Sequence, residues 1–238
     1  MGDSARSNHS RDERIKEFSP FRKALIRPEL GSIAGTLAVF TFFILFAYDS
    51  GMFNSRGVLN WSIVSAQFVI IAVGACLLMI AGEFDLSVGS MIGFAGMIIA
   101  IFTVKLGWPA WIAIILTFII CISIGALNGF IVIRTGLPSF IVTLAFLFIL
   151  RGLTIFLPQV MVRKTIIGGV KDVSEGDWLV ALFDGKILTG FFSWLADVGL
   201  IDTFERGTRA GQPVVSGVPM LIIWALVLMF FGHFLLTR

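Results

Sequence analysis

Two carboxylates interrupt an otherwise apolar stretch, in the string Gly82-Glu83-Phe84-Asp85-Leu86-Ser87-Val88-Gly89-Ser90. Ionised groups between apolar runs are costly unless they face water or protein. One role for them is structural: Asp85 or Ser87 caps the helix that follows by accepting its free N–H groups. The other is functional: a broken helix bordering a solute pathway, because irregular backbone at membrane depth persists only when buried in protein or lining a cavity. The two roles are compatible. Asn128, between Leu127 and Gly129, either bonds across helices or contacts a solute. Arg151 lies inside another apolar run, about 9 Å from its outer end at ~1.5 Å per residue. It snorkels to the outer interface, serves a pathway, or pairs with a carboxylate.

Other chemistries find no support. No G-x-x-x-x-G-K-[ST] loop cradles a phosphate, and no H-E-x-x-H zinc site or G-x-S-x-G elbow occurs. Cys76 and Cys121 sit in apolar runs, where a thiol packs as a small hydrophobe. With His9 and His233 they offer too few ligands for a metal, and no cofactor is expected.

The elements that position these residues follow from composition. Of 238 residues, 57% are hydrophobic and only 14% charged, with 24 phenylalanines against one tyrosine, and mean hydropathy is +0.96. A soluble domain carries about 25% charged residues. The solvent is therefore mostly lipid, and a net charge of +3 is too small to imply nucleic acid. Soluble enzymes and disordered tails are excluded with it. A membrane-spanning helix needs about 20 mainly apolar residues. Six segments qualify: Leu30–Tyr48, Trp61–Gly82, Ser90–Val104, Trp111–Ile133, Ser139–Leu157 and Val218–Leu236. The fold class expected is all-α and polytopic, with one discontinuous region near 82–90. Residues 1–29 form an N-terminal segment, 30–157 the first five spans, 158–216 an extracytoplasmic segment and 217–238 the sixth span. The first span reads as an anchor, since no small-residue cleavage pattern follows it.

Lys and Arg in short flanking segments set orientation. With the N-terminus inside, the inner side holds seven in residues 1–29 plus Arg134 and Arg238, against Arg56 and Lys105 outside. The N-terminus is expected in the cytoplasm. The segment 158–216, with six basic and seven acidic residues, translocates largely regardless of charge. Its Trp178, Phe191-Phe192 and Trp194 rest on the outer interface or touch a binding protein. Before the first span, Ser19-Pro20 starts a helix that Pro28 stops, with Phe21, Leu25 and Ile26 on one face. That helix lies in the headgroup plane, or the segment is a solvated basic tail. Gly31 and Gly35, Gly89 and Gly93, and Gly125 and Gly129 are candidate close-packing pairs.

The string Gly82–Ser90 resembles the signature of membrane permeases from simple-sugar ABC importers, the ribose and xylose type. So do Ala126-Leu127-Asn128-Gly129 with Arg134, Leu137-Pro138-Ser139-Phe140-Ile141-Val142-Thr143-Leu144, Arg151-Gly152-Leu153, Gly217-Val218-Pro219-Met220 and Leu235-Leu236-Thr237-Arg238. The motifs recur in order and cover residues 30–160 and 217–238. Glu83-Phe84 departs from the Gly-Ile that the family often carries, and the insertion 158–216 suggests the xylose-like branch. The resemblance marks Glu83, Asp85, Ser87, Asn128, Thr143 and Arg151 as transport-pathway or helix-break candidates. It implies alternating access in the bacterial inner membrane, with a second permease subunit completing the pathway as a homodimer. It also implies a sugar-binding protein outside, a separate ABC ATPase subunit inside, and no enzymatic activity in the chain itself. In that family the chain continues past Arg238 into a loop that docks the ATPase. The present chain thus reads as C-terminally truncated, unable alone to couple to ATP or to transport. The alternatives are a secondary transporter, which would show symmetric helix breaks, or a structural membrane subunit without an ATPase partner.

Overall fold

A computed structural model describes residues 28–204 and 210–237. The expected headgroup helix after Ser19-Pro20 lies outside the described residues. The chain divides into two compact units, Met1–Phe53 and Asn54–Arg238. In the first, helix α1 (Pro28–Phe46) is followed by a short 3-10 turn, Tyr48–Ser50. α1 is apolar on all sides and carries no charge after Glu29, the pattern of a helix surrounded by lipid or other helices.

Among its described residues the second unit is helical apart from a four-residue ladder and one antiparallel bridge between Thr203 and Pro213. Its long helices are α2 (Ser55–Ile80), α3 (Val88–Ala100), α4 (Ala110–Thr135) and α5 (Ser139–Val162). Three short helices follow: α6 (Val170–Val173), α7 (Trp178–Asp184) and α8 (Thr189–Asp197). Strands β1 (Lys186–Ile187) and β2 (Val218–Pro219) pair antiparallel, with Ile187 opposite Val218, and α9 (Met220–Thr237) closes the unit. Among the described residues, α2, α3 with its extension, α4, α5 and α9 are long and apolar enough to cross a membrane. The chain is an all-α polytopic membrane protein.

The first, fourth and sixth spans shift by one or two residues at each end, and the other three differ in ways that matter. The second span begins at Ser55, a turn and a half before Trp61, and takes Arg56 into its first turn. There the guanidinium lies over the Phe204 ring, 4.5 Å from its centroid. The third is 18 residues long, not fifteen, because it starts two residues earlier at Val88 and ends one later at Lys105; its last five residues, Ile101–Lys105, continue α3 as a π-turn. Leu106 N–H donates to Ile101 at 3.0 Å, and the Thr103 hydroxyl returns to the Ile99 carbonyl at 2.8 Å. The fifth runs through Pro158 to Val162. Proline removes one ladder donor, but Pro158 is fully buried, and neighbouring helices sustain such positions in membrane helices.

The core forms where α3 packs against α5, with Phe94, Met97, Ile98 and Ile101 meeting Leu150. Ile120 and Ile124 of α4 flank it. A Cβ on Gly93 would stand 3.7 Å from Thr154, an ordinary contact, so this glycine does face a neighbouring helix. A tighter glycine contact lies elsewhere. α9 packs on α2, and a Cβ on Gly232 would come within 2.9 Å of Val73. Small residues let membrane helices approach in this way, although no glycine pair at i and i+4 marks the site in the sequence.

Candidate functional site

α2 ends in a left-handed turn that only a residue without a Cβ adopts freely: Gly82 has φ +81°. Gly82 N–H donates to Met79 and Glu83 N–H to Leu78, at 3.0 and 3.1 Å. This pair of bonds closes the helix and satisfies two of its last carbonyls. At ~1.5 Å per residue, the 26 residues of α2 measure about 39 Å, more than the ~30 Å hydrocarbon core. The discontinuous region at 81–87 therefore joins two whole spans near one membrane face. It lies beside the tight turn 136–138 between α4 and α5.

The first turn of α5 holds this connection in place. Phe84 N–H donates to the Ser139 hydroxyl at 3.0 Å and Leu86 N–H to the Thr143 hydroxyl at 3.1 Å. The Thr143 hydroxyl donates in turn to the Ser139 carbonyl at 2.9 Å. Two N–H groups of the irregular backbone are thus taken by side chains of α5. Asp85 folds onto its own loop. Its Oδ1 accepts from Ser87 N–H at 2.7 Å and from the Ser87 hydroxyl at 2.6 Å, an Asx turn. Neither expected cap forms. Ser87 stands at the N-cap of α3 without a side-chain cap bond; its backbone is helical (φ −77°, ψ −15°) and not the extended form in which an N-cap oxygen reaches the first turn. Its carbonyl accepts from Met91 N–H at 2.8 Å and starts the helix.

Behind Ser87, which is fully buried, lies Asn128 of α4, 4% exposed. Its Nδ2 reaches the Ser87 hydroxyl at 3.5 Å, and its Oδ1 has no partner. An unpaired buried acceptor costs about 1–3 kcal/mol. Beside these groups opens a cleft of about 270 Å³, with Glu83, Asp85 and Asn128 on its wall and apolar cover from Phe84, Val132 and Ile133. Asp85 and Ser87 also border a second hollow of about 220 Å³ along α3. Gly125 and Gly129 line the cleft, and outside their own helix no atom of the described residues lies within 4 Å of a Cβ built on either, so neither packs against another described helix.

Glu83, Asp85, Ser87, Asn128 and Thr143 therefore come together around one connection. Arg151 does not. It lies eight residues beyond Thr143 along α5, a rise of about 12 Å. Because α5 ends at Val162 and not Leu157, Arg151 is about 17 Å from either helix end. Its side chain is exposed on the described chain, and no ion pair joins it to a carboxylate among the described residues. Ser139 is the participant that sequence reasoning missed. The signal was present in Pro138-Ser139 and Thr143: two hydroxyls four residues apart share one helix face in a first turn.

At the other end of the spans, Asp177 does the work of two caps. Its Oδ1 accepts from Leu179 N–H at 3.0 Å in α7, and its Oδ2 from Trp111 N–H at 2.9 Å at the start of α4. A carboxylate serves helix N-termini well because both N–H groups and the helix dipole favour it.

Comparison with known proteins assigns this arrangement. No solved structure matches the chain. The chain is 42% identical over 123 residues to the xylose transport system permease protein XylH of Escherichia coli K12, covering 52% of this chain and 31% of that protein. It is 32% identical over 161 residues to XylH of Haemophilus influenzae, covering 66% and 43%. To the autoinducer 2 import system permease protein LsrD of Klebsiella pneumoniae it is 28% identical over 169 residues, covering 64% and 51%. The chain thus spans about a third to a half of the length of these relatives. A family model, that of the branched-chain amino acid transport system permease component, matches residues 57–238. That match takes in every long helix of the second unit, the 81–87 connection and the Asp177 double cap, and on it the chain belongs to this permease family.

Proposed function

We propose that the chain supplies part of the transmembrane pathway of an ABC importer in the bacterial inner membrane, carrying a monosaccharide of the xylose or ribose kind. The observation that carries the reading is the family match over residues 57–238, joined to similarity with two xylose permeases. A fructose import permease of Bifidobacterium longum, 36% identical over 89 residues, supports a sugar as cargo. ATP hydrolysis belongs to a separate subunit, a binding protein delivers the sugar, and a second permease subunit completes the pathway. The N-terminus lies in the cytoplasm, which puts the 81–87 connection at the inner face and residues 163–217 outside.

In this reading Asp85 and Glu83 give the cleft its acceptor character at the inner mouth. Ser87, Asn128 and Thr143 hold the connection in one of its arrangements. Arg151 serves the pathway or the subunit contact. An arginine facing lipid at the centre of a helix costs about 2.5–3.5 kcal/mol on insertion scales, and that cost disappears against water or a partner.

The test is uptake of labelled xylose by vesicles holding the full-length permease with its ATPase and binding protein. Uptake is expected to require both partners. Uptake that persists without them overturns the importer reading in favour of a secondary transporter. Asp85→Asn keeps the Asx turn and removes the charge, and is expected to lower uptake roughly tenfold at equal insertion. Normal uptake with both Asp85→Asn and Asp85→Ala removes Asp85 from the pathway.

A further inference from the structure

The end of α7 and the strand β1 lie where two spans begin. The Leu182 carbonyl accepts from the Trp224 indole N–H at 2.9 Å. The Phe183 ring lies 5.9 Å from Phe118 and 5.8 Å from Trp224, centroid to centroid. Trp224 is about 6 Å into α9, and Phe118 about 12 Å into α4. β1 follows, paired with β2 at the head of α9, and Met220 N–H donates to Gly185 at 2.8 Å. Gly217 permits this tie: its φ is +150° and a Cβ there would stand 2.7 Å from the Ile187 carbonyl. α8 starts at Thr189, two residues after β1, so its first turn is held within about 7 Å of the ladder.

α8 presents three edges. At about 100° per residue, Phe191, Trp194, Leu195 and Val198 fall within an arc of roughly 100°. Three of them are exposed, at 52% (Phe191), 55% (Trp194) and 55% (Val198). Phe191 and Trp194 stack with centroids 6.0 Å apart. The opposite edge holds Gly190, Ser193 and Asp197. Phe192, Leu195 and Ala196 are half-buried and mark the side against the rest of the unit. One edge suits protein, one water and one an apolar medium.

We propose that α8 is an interfacial helix, seated in the headgroup layer of the leaflet into which α9 opens, with Phe191, Trp194 and Val198 in the acyl boundary and Ser193 and Asp197 in water. The occupant of the apolar edge is lipid. Its level is that of the span heads, its aromatic content is that of a membrane interface belt, and no charged side chain lies along it. A soluble binding protein would approach from the water side, onto the polar edge. The inference stands on the apolar spans alone and not on the transport reading.

Two single-cysteine variants test it, Val198→Cys and Ser193→Cys, in the full-length protein with Cys76 and Cys121 replaced by alanine. Each carries a small fluorophore in phosphatidylcholine–phosphatidylglycerol vesicles. The expected result is lipid-nitroxide quenching roughly threefold stronger at 198 than at 193, with aqueous iodide giving the reverse order. Iodide quenching at both positions overturns the proposal. So does protection of 198 from both quenchers, which would mean that protein covers the edge. Lipid quenching at 198 that vanishes when the binding protein is added would make the edge a docking surface and overturn it equally. Should Val198→Cys fail to insert, Phe191→Cys carries the same comparison.

Discussion

Two connections tie the spans together, and their side-chain acceptors differ in charge. At 81–87 the Phe84 and Leu86 N–H groups go to neutral hydroxyls, Ser139 and Thr143. At 163–217 the Asp177 carboxylate takes the N–H groups of two helix starts, Leu179 in α7 and Trp111 in α4. Burial separates Thr143 from Asp177. Thr143 is 4% exposed, and a charge there would carry several kcal/mol of desolvation cost. Asp177 is only half-buried and keeps much of its hydration, so its charge is affordable and the stronger charge-assisted bonds are available. Asp85 is the exception. It brings a carboxylate into the neutral region, satisfies it locally through Ser87, and leaves it on the wall of the cleft.

That contrast can be broken in order of effect. Thr143→Val keeps the volume but leaves Leu86 N–H without its hydroxyl partner. It is expected to cost about 1–3 kcal/mol, read as a fall in thermal midpoint of the detergent-solubilised protein, while Thr143→Ser recovers most of it. An unchanged midpoint for valine would mean that water reaches the connection. Asp177→Ala removes two caps from a wetter site and is expected to cost about 0.5–2 kcal/mol, with Asp177→Asn in between. Equal losses for alanine and asparagine would show that the carboxylate charge contributes nothing beyond its oxygens. Asn128→Leu has the smallest expected effect on stability, within about 0.5 kcal/mol either way, because it exchanges an unpaired acceptor and one long bond for packing. The same variant is expected to lower sugar uptake. A large loss of stability would instead identify Asn128 as structural glue between α3 and α4.

The spans and the position of the interruption at 82–90 were legible because both rest on composition along the chain: lipid demands long apolar runs, and two carboxylates in one of them stand out. Asp85 and Ser87 were legible as local partners, though not as the pair they form. Either one alone meets the requirements of a cap by residue type, and only the folded backbone turns the two side chains toward each other. Pro158 misled for a related reason. Proline ends a helix in water, whereas packing against neighbours carries α5 a further turn and moves Arg151 to mid-depth.

What the sequence by itself determined, then, is the all-α membrane class and the family, because hydropathy and motif order are properties of a chain read in a line. Only the tertiary structure decided that Thr143 and Ser139 receive the connection's N–H groups, that Asn128 keeps an oxygen without a partner, and that Asp177 joins two helices. Those pairings span 41 to 66 residues. Each depends on which helix faces which, a choice made by packing where lipid and protein interior are equally apolar.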